Sequence, residues 1–188
     1  MKFTTLIILI LGFCKSFSQI KNVEIITKKN DTIKNVELKM GHISKTNLEI
    51  LLQEKIVYLD KTGSKIKLLP TDVNSFSFIY DDEVLRFENI QDRGFALEMY
   101  SNKLKLFKLI TRAFNVYIIK KPNGKVIYME AKGLSRLISK KEITKEMSDC
   151  QSTIQKVEDK TLSVQGEAGV IELVKDYEMN CNQNCKLA

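Results

Sequence analysis

Four cysteines and one histidine are the residues of this 188-residue sequence with the widest chemical repertoire. Cys181 and Cys185 stand four apart in "NCNQNC", Cys150 ends "EMSDC", and Cys14 lies near the start. Such thiols can bind zinc, cycle between dithiol and disulfide, or crosslink the chain. Zinc needs four ligands, usually from CxxC pairs or with histidine partners. The spacing here is CxxxC, and His42 precedes Cys150 by more than a hundred residues. A thioredoxin-type centre needs CxxC beside a βαβ pattern, and neither is present. The cysteines therefore imply no metal site and no cofactor, and the crosslink is favoured. Three pairings stay open: Cys150–Cys181, Cys150–Cys185 and Cys181–Cys185. The first would tie one helix to the end of another, and a loop of about thirty residues could contribute ~3 kcal/mol by restricting the unfolded chain. One thiol is left over in any case, and Cys185, in a polar tail, is the expected spare.

His42, in "MGHISK", follows a strand pattern and a glycine. A general base is conceivable there, but no Ser or Cys elbow lies near it, and a turn histidine of structural role is the simpler reading. Asp81, Asp82 and Glu83 in "YDDEVLRFENIQD" carry hard oxygen ligands suited to calcium. Without an Asp-x-Asp-x-Asp-Gly loop they read as a solvated hairpin turn. No G-x-S-x-G elbow, H-E-x-x-H helix, Walker loop or dinucleotide fingerprint occurs. No catalytic residue is assigned. Two carboxylates brought together from distant strands remain the one enzymatic route that a sequence cannot test, since it requires a measured separation.

The opening stretch "MKFTTLIILILGFCKSFSQ" bears on all of these thiols. Lys2 gives a positive start, Leu6 to Cys14 an apolar run, and Ser16-Phe17-Ser18 the small residues that signal peptidase requires. The run is too short for a bilayer, which needs about 20 residues. Residues 1–18 are read as a signal peptide cleaved between Ser18 and Gln19. Acylation at Cys14 is disfavoured because Phe13 stands where Gly or Ala normally precedes a lipidated cysteine. No later segment reaches membrane-spanning length, so the expected product is periplasmic or secreted, with no transmembrane segment.

Removing Lys2 and Lys15 leaves 28 basic against 23 acidic side chains, a net charge of +5. The lysines alternate with apolar residues, as in "KLKLFKLITR", which suits the wet face of strands better than a nucleic-acid groove. No nucleic-acid partner is expected.

From Val23 to about Met129 the apolar pattern has period two. "VEIIT", "TIKNVELKM", "NLEILL", "KIVYLD", "KIKLL", "SFSFIY", "EVLRFENI" and "FALEMY" read as short strands. Asn30-Asp31, Gly63 in "KTGSK" and Pro122-Asn123-Gly124 supply turns, the last joining the clearest hairpin, "NVYIIKK" to "KVIYMEA". Phe76, Phe78, Tyr80, Phe87, Phe95 and Phe107 alternate as the core of a sheet would. After about Leu134 the spacing becomes helical. Ser139 with Glu142 forms a capping-box pair, Ile143, Met147 and Cys150 share a face, and Val170, Leu173, Val174 and Tyr177 share another. The expectation is an α+β chain: an antiparallel β-rich body over 19–132, a meander or barrel-like sheet of eight to ten short strands, then two or three short helices over 133–188 packed on or beside it.

The "SFSQ" signal end, the run "DTIKNVEL…LEILLQEKIVYLDKTGSKIKLLPTDVNSFSF" and a tail with Asp149-Cys150 and "VKDYEMNC" resemble exported proteins of flavobacterial type. In that group a Pro-x-Asp-(Ile/Val)-x-x-Phe motif leads into a strand, matched by Pro70, Asp72, Val73 and Phe76. A cysteine after an aspartate and another after a Tyr-Asn-like end are matched by Cys150 and Cys181. Tyr177-Glu178 departs from Tyr-Asn, and Cys185 is extra. The resemblance implies export and favours the Cys150–Cys181 pair. It lends no activity, because the group has none assigned. The functional expectation is a non-enzymatic envelope or secreted module that binds a protein or a surface component. A small carboxylate-based hydrolase and a purely structural envelope component are the alternatives.

Overall fold

The computed structural model describes residues 19–40, 43–133 and 137–181. Cys14, Ser18, His42 and Cys185 lie outside the described residues. Eleven strands form one open antiparallel sheet: β1 (Gln19–Thr27), β2 (Thr32–Lys39), β3 (Ile56–Leu59), β4 (Lys65–Leu68), β5 (Val73–Tyr80), β6 (Glu83–Asn89), β7 (Phe95–Ser101), β8 (Lys105–Ile110), β9 (Asn115–Lys120), β10 (Val126–Lys132) and β11 (Leu137–Ile138). Helix α1 (Lys45–Leu52) interrupts the strands early, and α2 (Lys140–Glu146), α3 (Gln151–Glu158) and α4 (Gly166–Cys181) close the chain's described part. The α+β class with a β-rich body and C-terminal short helices is the one the residue pattern implied, and the sheet does not close into a barrel.

The spatial order is β11-β10-β9-β8-β7-β6-β5-β1-β2-β3-β4. From β5 to β10 the chain meanders through short connections, and β11 pairs antiparallel with β10. Asp81 and Asp82 both take positive φ (47° and 64°) to join β5 to β6, as a two-residue hairpin with right-handed strand twist demands. Gly124 does the same between β9 and β10 at φ 81°. The first described strand is not at an edge. It pairs with β2 through Val23↔Val36 and Ile25↔Ile33, and with β5 through Ile25↔Phe76.

"NLEILL" is a correction. The apolar run reads as a strand, but it is α1: Ser44 caps it, accepting a hydrogen bond from the Asn47 amide at 3.4 Å. Leu48 and Leu52, four apart, go into the core, while Ile50 and Leu51 stay exposed. That spacing decides the matter, because a strand would have buried alternate residues.

One face of the sheet is covered by helices. Leu48 and Leu52 of α1 join Val23, Ile25, Phe76, Phe87 and Phe95 in one apolar cluster over β1–β7. Phe76 and Phe87, cross-strand partners, stack with centroids 4.8 Å apart, and Phe95 meets Phe76 edge-on at 5.0 Å. Over β8–β11 the helices α2–α4 bury Ile143, Met147, Val170, Leu173 and Val174 against Leu106, Tyr117, Ile119 and Met129. The opposite face is mostly polar, with a small apolar cluster of Ile90, Ala96, Phe107 and Ile118.

Candidate functional site

Helix α1 lies along the sheet with a groove at its flank, and its anchoring begins with Gln53. The Gln53 carbonyl accepts from the Phe95 amide at 2.9 Å, and its side-chain oxygen accepts from the Ile110 amide at 3.1 Å. Those two bonds hold the end of α1 against β7 and β8. The contact requires glycine at the start of β7: Gly94 has φ +149°, and a Cβ there would sit 3.1 Å from the Gln53 carbonyl oxygen. Thr46, Ile50 and Gln53 recur at helical spacing and turn toward the groove, whose volume is about 720 Å³. Leu109, Ile110 and Pro70 add to its apolar lining.

Two arginines are among its lining residues. Arg93 comes from the β6–β7 turn, where its guanidinium carbon lies 5.3 Å from the Tyr128 ring centre, and Tyr128 is itself fixed by donating to Gln91 at 2.8 Å. Arg112 comes from the β8–β9 turn, which Thr111 shapes by bonding both the amide and the carbonyl of Phe114. Neither arginine, nor Glu54 on the same rim, makes an ion pair among the described residues. The groove is open, and six of its ten lining residues are polar, so it joins an apolar strip to a charged rim at a size that small ligands occupy.

A second concavity, of about 250 Å³, lies on the polar face across β1 and β5–β8. Here Glu88 and Glu98 flank Lys105 at 3.4 and 3.5 Å, and Lys120 also bonds Glu88. Ser75, Ser77 and Arg86 complete the wall. Lysine lies between the two carboxylates where a hydrolase would need substrate or water, so the arrangement is that of an ion-pair lattice on a wet sheet face.

Beneath the helices the polar groups are engaged with one another. Lys121 donates to Asp149 at 2.8 Å and to Tyr177, and Tyr177 donates to Asp149 at 2.8 Å. Burial, with the Asp149 charge assisting, pushes the Tyr177 phenol up to about 12 against the opposing pull of Lys121. Burial would raise Asp149, but hydrogen bonds from Lys121 and Tyr177 outweigh it and hold the carboxyl below its ordinary value. Thr153 donates to Asp176 at 2.8 Å, and Lys156 pairs with the same carboxylate at 2.5 Å. Glu178 accepts from Tyr100 and from the amides of Lys103 and Leu104, fastening the β7–β8 turn to α4.

Cys150 and Cys181 form a disulfide with Cα atoms 5.5 Å apart, joining the start of α3 to the end of α4. Asp81 and Asp82 sit exposed at the hairpin tip, and Glu83 pairs with Lys45. Pro70, Asp72, Val73 and Phe76 build the lead into β5: the Asp72 side chain accepts from the Leu69 amide at 2.8 Å, and Asn89 donates to the Pro70 carbonyl. Val73 and Phe76 go into the core. The groove residues carried no signal in the sequence beyond the 46/50/53 spacing on a segment that did not read as a helix. Among the described residues no helix is long and apolar enough to cross a membrane. Compared with protein-family models, curated proteins and solved structures, the chain matches none.

Proposed function

We propose that this chain is an exported, non-enzymatic binding protein of the envelope or extracellular space, and that the groove beside α1 receives its ligand. The groove carries this reading. It is concave and partly apolar, and its polar groups are two arginines, an amide, two threonines and one carboxylate, Glu54, which has no second acid or base beside it in the lining, a set suited to holding rather than to bond cleavage. Export is supported by the Cys150–Cys181 disulfide, a bond that persists in oxidising compartments. It is supported further by the signal-like first eighteen residues and by the resemblance to exported flavobacterial-type proteins.

A photo-crosslinking residue at Ile50, which is 44% exposed on the groove side of α1, tests the assignment. Irradiated in envelope fractions, it is expected to give an adduct of one defined mass, whereas the same residue at Ile79, 58% exposed on the β5–β6 hairpin, gives none. No adduct from Ile50, or identical adducts from both positions, refutes the groove as the binding site.

A hydrolase using Glu88 and Glu98 is the second reading, favoured by their shared cleft. It requires turnover that Glu98→Gln abolishes, and the lysine between them argues against it.

A further inference from the structure

We infer that the groove beside α1 takes a single-chain anionic amphiphile, a molecule with one carboxylate or phosphate head and an apolar body. The inference rests on the groove being a binding site and names the chemistry of its occupant. The unused charged groups there are two guanidinium donors against one carboxylate acceptor, Glu54. Arg112 and the Gln53 amide nitrogen have no partner among the described residues, and the Gln53 oxygen already accepts from the Ile110 amide. Arg93 is held over Tyr128, which leaves its guanidinium edge free to donate. A planar guanidinium fork matches a carboxylate or phosphate through two parallel hydrogen bonds. Glu54 is the one carboxylate on the rim, so the charged side chains of the lining sum to +1.

The other half of the site is apolar. Ile50 leaves the core side of its helix and stays 44% exposed, in the lining with Leu109 and Ile110. Leaving that much aliphatic surface in water costs free energy that an apolar ligand body would recover. A free anion such as inorganic phosphate would use the arginines and leave this apolar lining wet. A bilayer surface would present heads in a plane, whereas the donors here line a concavity of about 720 Å³, within the range of about 300–1,000 Å³ that small ligands occupy. The occupant is therefore one molecule taken in, with its head at Arg93 and Arg112 and its chain along Ile50.

Isothermal titration of the full exported chain tests this with decanoate and decyl phosphate below their micellar concentrations. Both are expected to bind. Inorganic phosphate, decanol and decyltrimethylammonium are each expected to bind at least tenfold more weakly. Arg112→Glu should weaken decyl phosphate at least tenfold, while Lys125→Glu, an equal charge change in the exposed β9–β10 turn at the opposite end of the strands from the β8–β9 turn, should stay within twofold. Equal losses in the two variants reduce the effect to net charge and overturn the inference. So does decyltrimethylammonium binding as well as decanoate, or binding only to phosphatidylglycerol vesicles. If neither decyl anion binds while the Ile50 crosslinker still gives its defined adduct, the ligand class is wrong and the groove assignment survives. If both fail, both fall.

Discussion

Lys108 has a side chain only 5% exposed, and it lies where the two helix-covered apolar clusters meet. Its register partners are Leu97 in one cluster and Tyr117 in the other. A buried ammonium needs counter-charge, and two carboxylates supply it. Glu49 on α1 lies 2.7 Å away, and Glu167 at the start of α4 lies 2.6 Å away. Burial works against the charge on Lys108, but the two carboxylates outweigh it, and its pKa is raised above the ordinary lysine value. One lysine thereby links the helix over the first half of the sheet to a helix over the second. Glu49 Oε2 is buried with no properly aligned hydrogen bond, so it depends on the Lys108 charge. Removing one member of a buried pair strands the other and costs about 3–5 kcal/mol. Lys108→Met should therefore lower the urea midpoint by the equivalent of about 3 kcal/mol, and the double substitution Lys108→Met/Glu49→Met should restore most of it. If single and double variants lose the same stability, the ion pair is not what the site depends on.

At the scale of elements, α2 and α3 have only seven and eight residues, and isolated helices that short do not hold in water. Packing and local chemistry compensate. Ser139 accepts from the Glu142 amide at 3.1 Å to start α2, and Ile143, Met147, Ile154 and Val157 are all buried. The disulfide then closes a loop of 31 residues and ties α3 to α4. Replacing both Cys150 and Cys181 by alanine is expected to lower stability by ~3 kcal/mol through the freed unfolded chain. The loss should also be local. Hydrogen exchange should accelerate in α3 and α4 while amides of β5 and β6, remote from the bond, keep their protection. Uniform acceleration across the sheet would show instead that helices and sheet open as one unit.

At the scale of the molecule, β1 pairs on both sides, so the earliest described strand joins the β2–β4 segment to the long β5–β11 meander. Both partners follow it in sequence, β2 directly and β5 only after β2–β4 and α1, which makes the pairing of β1 with β5 a non-local event. The pH dependence is also a property of the whole. Asp149 and Asp176 have lowered pKa values: burial opposes this, but Lys121 and Tyr177 at the first, and Lys156 and Thr153 at the second, outweigh it. Groups lowered on folding contribute stability that is present above their unfolded value near 3.8 and is lost as pH falls through the folded one. Lys108 and Lys121 are raised from 10.5, and Tyr177 from 10.0 to about 12, so their contribution is complete below those unfolded values and is lost as pH rises. The urea midpoint should be level through neutral pH and fall at both ends. Tyr177→Phe should flatten the alkaline limb between about pH 10 and 12. An alkaline limb unchanged in that variant would place its origin elsewhere.

Period-two alternation, the Asn-Gly and Asp-Asp turns and the Ser139 cap are local signals, and local physics sufficed to imply strands, hairpins and a helical tail. A crosslink was legible for the same reason, because few residue types can form one, while the choice of Cys181 over Cys185 as partner of Cys150 was favoured by the resemblance and is seen in the fold. Helix α1 was not, since a short run of Leu and Ile fits either period until the core chooses which side chains to bury. The place of β1 between β2 and β5, the Lys108 seam and the groove lined by Arg93 and Arg112 all depend on residues far apart in the chain. Only the folded sheet brings turns from β6–β7 and β8–β9 to one helix flank. No pattern along the sequence encodes that meeting, because it is set by long-range strand pairing and by how the helix docks on the twisted sheet.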